Sequence, residues 1–369
     1  MKTRNFKAFG LVMAMVAVLV SCETNHDPNP QQEDLLPERF SIDIPDAISK
    51  TSPGNGRVQG DTLKGNDIYI NMATFIAVGD GSAKLVEEII GGIRKYKIDR
   101  VITMSFRSDD DNRIKNLEVK ADVTFESKTW QYMLTITDAD SEGNADGGKA
   151  LQIFWDHSTP IDGIAIIKPY NCDRNENAGA KDAMFRIDYE EQPASGYDAE
   201  MEVQISGLPL ESPLSNPYSI NTLHMFVGKK GDVVDVYGNS NHPNAVFFSG
   251  ERGFNWAFVA AGDDASNVGV AEVGLPASDL DNSDRSTLLE EYSIKNVMTT
   301  EIYAAWPWLN PNDVAVYLSN TVAPGFFDKN GFVVAGKSPG ADWDPLTGRL
   351  VDLKPYNPKA TSELEVVFK

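Results

Sequence analysis

At 369 residues the chain is long enough to bury a sizeable core, as one large domain or two medium ones. Its 41% hydrophobic and 24% charged residues are the proportions of a globular protein. The formal net charge of −21 excludes a surface built to neutralise phosphate backbones, so nucleic acid is not an expected partner. The acidity reads as a solvated, self-repelling exterior.

The first element is a leader. Lys2, Arg4 and Lys7 precede an uncharged apolar run, Ala8 to Val20, and residues 1–21 hold no acid. That run is too short for a comfortable membrane span and suits the core of a signal peptide. It ends in Leu19-Val20-Ser21-Cys22, which resembles the lipobox of bacterial lipoproteins. The resemblance covers residues 1–22 only. It implies cleavage before Cys22, a diacylglyceryl group on its thiol and acylation of the new amino group. Each buried methylene of such chains adds about 0.8 kcal/mol of membrane affinity. By the same family's sorting rule, Glu23 in place of Asp favours the outer membrane over the inner one. Residues 22–38 are polar with three prolines, a stiff, solvated tether. With Cys22 acylated, Cys172 has no partner for an internal disulfide and reads as a small buried hydrophobe.

The body, residues 39–369, opens with the alternating segment Phe40 to Ile44, expected as a strand stopped by Pro45. A loop rich in Gly, Ser and Asn follows, from Thr51 to Gly65. Apolar residues at Ile68, Met72, Phe75, Ile76, Ala83, Val86, Ile89, Ile90 and Ile93 then recur at three-to-four spacing, predicting amphipathic helix over 66–97. Gly79-Asp80-Gly81 is expected to break it into a helix pair packed on the β body. From Val101 the period switches to two. Leu117, Val119, Ala121, Val123 and Phe125 alternate with polar residues, as do Trp130, Tyr132, Leu134 and Ile136, so the two runs read as a hairpin. Further strands are expected up to Val268–Val273, then at Val314–Leu318, Phe332–Val334 and Leu364–Phe368. Only Thr287–Met298 reads as a second helix. About a dozen short strands make a mainly β (α+β) fold: an antiparallel meander, a barrel or a sandwich. A weak domain boundary is expected near 207–220, where three prolines cluster.

Chemistry-bearing motifs are scarce. His26, His157, His224 and His242 form no helical metal pair, no CxxC exists, and neither a G-x-S-x-G elbow nor a P-loop appears. No metal, no cofactor and no catalytic residue is expected. Asp138, Asp140, Glu142, Gly143 and Asp146 resemble the start of an EF-hand loop, but Lys149 stands where the closing bidentate Glu belongs. Asp109-Asp110-Asp111 reads as a turn. Trp306-Pro307-Trp308 cannot be regular helix, and its rigid proline displays at least one indole at a surface or rim. Asp342-Trp343-Asp344 sets two carboxylates beside an aromatic, a combination also found at sugar sites. Trp306, Trp308, Trp343, Asp342 and Asp344 are therefore the candidate ligand-binding residues, with Cys22 as the lipid attachment site.

The expected function is a lipid-anchored envelope protein that binds a hydrophobic ligand, a glycan or a partner protein without catalysis. A long amphipathic helix leading into a meander is similar in architecture to envelope lipoproteins whose open barrel carries lipid. Two alternatives stand beside it: a structural component of an outer-envelope complex, and a secreted hydrolase using carboxylates from distant loops.

Overall fold

The structure, a computed structural model, describes residues 36, 39–50, 65–94, 98, 100–157, 161–210, 219–247, 249–250 and 252–369. The expected signal peptide, Cys22, nearly all of the expected tether, residues 51–64 and most of the 207–220 stretch lie outside the described residues. The described chain divides into two compact units with interleaved sequences. The first holds the described residues up to Ser41 with 81–196 and 366–369; the second holds 42–80 and 197–365. Two helices come early, the single turn α1 (Asp46–Ser49) and the long α2 (Gly65–Arg94). Among the described residues no helix is long and apolar enough to cross a membrane.

In the first unit six strands pair antiparallel in chain order: β1 (Thr103–Arg107), β2 (Ile114–Phe125), β3 (Lys128–Asp138), β4 (Lys149–Asp156), β5 (Asp162–Ile167) and β6 (Met184–Glu191). The β2–β3 hairpin turns on Glu126-Ser127, both left-handed at φ 45° and 70°, the backbone pair that matches the twist of two-residue hairpins. The expected single apolar face of β2 does not hold along its length. Leu117 and Val119 lie opposite Ile136 and Leu134, whereas Val123 and Phe125 join a cluster with Trp130, Met133, Phe154 and Ile164. Asp122, left-handed at φ 54°, sits where the alternation breaks. The helical turn α3 (Pro169–Cys172) follows β5.

The second unit continues the pattern with β7 (Ala199–Ser206), β8 (Thr222–Lys230), β9 (Val233–Val246), β10 (Arg252–Asp263), β11 (Val268–Gly274), β12 (Gly325–Asp328) and β13 (Gly331–Ala335). Each again pairs antiparallel with its neighbour in the chain, so the strands form an open meander rather than a closed barrel. Helices α4 (Ile294–Ala305) and α5 (Pro311–Tyr317) lie between β11 and β12, and the short α6 (Asp344–Arg349) and α7 (Pro358–Ser362) come last. β10 shows how both faces are covered. Its Trp256 meets Phe75 of α2 edge-on at 4.4 Å. Its alternate residues Ala257, Val259 and Ala261 pack with Leu288, Leu289, Leu346, Leu350 and Leu353.

Five sequence expectations are corrected. The helix pair is one continuous helix. Gly79 does not interrupt it but lets it lie close on β8: a Cβ there would come within 2.2 Å of the Met225 terminal methyl. Ile89, counted in the buried stripe, is only half-buried. Val314–Leu318 is helical, because Asn310 caps Asn312 N–H and Pro311 opens the first turn; Val314 and Leu318, four apart, then share the inward face. Phe40–Ile44 and Leu364–Phe368 are not ladder strands. Phe40 instead lies over Gly163, and Val366 and Phe368 pack on the Phe154 cluster.

Candidate functional site

Of the sequence-named residues, Trp306 and Trp308 stand on the surface. Helix α4 ends at Ala305, and Leu309 N–H donates to the Trp306 carbonyl at 3.2 Å, closing a tight turn with Pro307 and Trp308 at its corners. Proline in the second position fixes φ for such a turn, so the indole of Trp308 is held at its tip. It is 75% exposed. Asn310 then caps α5, which turns Val314 and Leu318 inward and leaves Val316 (74%) and Tyr317 (47%) outward. Leu309 and Val322 are exposed as well. Of the eleven exposed large hydrophobic residues in the described chain, six fall between 306 and 322. That stretch carries one charged residue, Asp313. Scattered exposed apolar residues are ordinary, whereas a concentrated, nearly uncharged set is a candidate contact surface.

The other candidates do not join it as equals. Trp343 is half-buried on the core cluster of the second unit, and its indole N–H donates to the Phe327 carbonyl at 2.8 Å. Asp344 accepts from Ser338 Oγ at 2.7 Å at the start of α6, and Asp342 is exposed. Trp343 thus ties the start of α6 to β12 through its indole N–H. Leu309, Val316 and Val322 escape a reading of the sequence, since aliphatic residues at these spacings suggest core until the helix phase is known.

The acidic loops are occupied by the protein's own cations. Asp138, fully buried, receives both carboxylate bonds from Arg113 Nε (3.0 and 2.8 Å), one from Arg174 Nε (3.1 Å) and one from Ser141 Oγ (3.1 Å). The buried Lys115 ammonium lies 2.9 Å from Asp111 and donates to the Asn171 carbonyl at 2.8 Å. Asp146 is held by Lys168 at 2.6 Å and by Asn171 at 3.0 Å. Burial alone would raise the pKa values of Asp138 and Asp146. The Arg113 hydrogen bond with the Lys115 charge, and the Lys168 hydrogen bond, outweigh it and hold both carboxyls below the ordinary range. Asp138 and Asp146, two of the oxygen-bearing residues that resemble a calcium loop, are therefore held in salt bridges. Among the described residues no three His, Cys, Asp or Glu side chains gather as a metal site. Cys172 faces the Ala150 carbonyl at 3.5 Å, and burial pushes its thiol up to about 12, so it is protonated at neutral pH.

A second aromatic grouping belongs to the folded framework. On β8, β9 and the segment before α7, His224 stacks on Tyr356 at 3.4 Å, Tyr237 tilts against Tyr356, and Phe226 stacks on Tyr237. Glu202 pairs with His224 Nε2 at 2.6 Å. Burial first, then the Glu202 charge, raises the Tyr237 phenol to about 12. Neighbouring rungs of β7, β8 and β9 set Glu202, Phe226 and Tyr237 in one row, but Tyr356 arrives from more than a hundred residues later, a juxtaposition no local pattern announces. His242 is a core residue, 2.7 Å from Ser240 Oγ and edge-on to Phe75.

Against known protein families, curated proteins and solved structures, the chain finds no match.

Proposed function

We propose that this protein is a noncatalytic binding protein of the bacterial envelope, anchored through acyl chains on Cys22, that meets its target with the Trp306–Val322 surface. What carries this reading is the rigid display of Trp308 at a Pro307 turn amid exposed Leu309, Val316 and Tyr317. Holding that much apolar surface in water is unfavourable at about 25 cal/mol per Å² of apolar area, and two prolines and a helix cap keep it from folding inward. A protruding set of this kind suits contact with an extended surface better than enclosure of a small molecule. The carboxylates of Asp138 and Asp146, by contrast, are tied to cations, which gives the hydrolase alternative no support from those loops.

Two measurements test it. Cys22→Ser is expected to move the protein from the detergent phase to the aqueous phase on partitioning; an unchanged detergent fraction would refute the anchor. For the surface, tryptophan emission of the mature protein is expected to shift to the blue on titration with solubilised envelope fractions. Most of the shift should disappear in Trp308→Ala, because Trp308 is the most exposed of the six tryptophans. No shift with any fraction would sink the binding reading.

A further inference from the structure

We infer that the Trp306–Val322 surface docks on the interfacial layer of a lipid bilayer, the same membrane that receives the acyl chains, an inference that rests on the envelope reading above. The residue types are the first argument. Tryptophan and tyrosine partition to the water–lipid boundary, where an apolar ring and a polar tip are both satisfied. Here Trp306, Trp308 and Tyr317 stand exposed with Leu309, Val316 and Val322.

Charge supplies the second argument. A protein-binding hot spot typically mixes its aromatics with arginine inside a polar rim. Residues 306–322 contain no Lys, Arg or Glu and the single Asp313, their polar groups being Asn, Ser and Thr. In a chain that is 24% charged, this is a local clearing. With a net charge of −21 over the whole chain the protein would be repelled by anionic headgroups, so the surface suits neutral or zwitterionic lipid and binding without salt dependence.

The tether supplies the third. Residues 22–38 span at most roughly 60 Å when extended. An anchor that short holds the body at an effective concentration of order millimolar near the bilayer. Docking too weak to recruit a free protein then suffices to orient a tethered one. The acyl chains retain the protein, and the aromatic surface sets which face lies down.

The test uses the mature chain from residue 22 carrying Cys22→Ser, so that no acyl group confounds the result. Phosphatidylcholine vesicles at millimolar lipid are sedimented with it. The protein is expected to co-sediment, with a blue shift in tryptophan emission, and to do so equally at low and high salt. Trp308→Ala should lower the partition coefficient about tenfold. Val351→Ala, equally a loss of exposed apolar surface but outside this stretch, should leave it unchanged. Absence of co-sedimentation, binding indifferent to Trp308→Ala, or binding abolished by salt would each overturn the inference. If vesicles fail while envelope fractions still shift Trp308, the target is a protein or glycan; the docking inference falls and the binding reading stands.

Discussion

Phe75→Ala is expected to cost about 3 to 5 kcal/mol, among the largest losses any single side chain of α2 could cause. The ring is buried in the second unit, edge-on to Trp256 at 4.4 Å and to His242 at 4.8 Å. Removing it opens a cavity between a helix and a sheet face. Neither can collapse into that cavity, because Gly79 already seats α2 against Met225 and Leu223. Urea denaturation followed by tryptophan fluorescence checks this directly, since Trp256 lies in the damaged contact. Ile89→Ala serves as the comparison: half-buried, it should lose clearly less than Phe75→Ala. Equal losses from the two would mean that the helix contributes through propensity rather than through this packed face.

The contrast between these two positions shows what the sequence carries and what it withholds. A three-to-four spacing identifies Ile68, Met72, Phe75, Ile76, Val86 and Ile90 correctly as inward-facing, because helical periodicity is a local property. It also counts Ile89, and it takes Gly79 for a breaker, because how closely a sheet approaches the helix is not local. The same holds for the strands. The period of two in β2 and β3 is plain in the chain, yet the loss of alternation at Asp122 depends on a left-handed backbone that only the assembled hairpin reveals. Val314, Val316 and Leu318 fit a strand and a helix equally well on paper; the Asn310 cap and Pro311 decide it.

The candidate surface was half legible. Pro307 between two indoles announces display, and Trp308 is displayed. Trp343, between two aspartates, gives a comparable local signal and is instead tied to the Phe327 carbonyl. Nothing in the residues around Trp343 encodes the partner, which sits on β12 sixteen positions away. The Asp138 loop resembles a cation site for an equally local reason, the alternation of oxygen-bearing residues. The cations around Asp138 are Arg113 just before β2, Lys115 on β2 and Arg174 after α3, so the sequence of the loop alone could not show these pairings.

Asp138→Asn should therefore be destabilising out of proportion to its size, by about 3 to 5 kcal/mol at neutral pH. The substitution nearly preserves shape and removes only the charge. It leaves the Arg113 and Arg174 guanidiniums without the carboxylate they share, and it deprives the buried Lys115 ammonium, 3.9 Å away, of its second counter-ion. The burial of the whole network need not be favourable relative to an apolar core, but removing one member of it is costly, because the remaining charges stay out of water unpaired. The pH dependence has a definite sign. Burial raises the Asp138 pKa, but the Arg113 hydrogen bond and the Lys115 charge outweigh it, so the folded value lies below the unfolded one of about 3.9. The stabilisation is then complete above the unfolded pKa and is lost as pH falls through the folded one. Denaturant midpoints of the native protein and of Asp138→Asn should accordingly lie far apart at pH 7 and converge as the pH is lowered below about 4. A gap at pH 7 smaller than about 1 kcal/mol would mean that Arg113, Arg174 and Lys115 find other partners at little cost. A gap that stays constant down to the acid limit would mean that the loss comes from packing and not from charge.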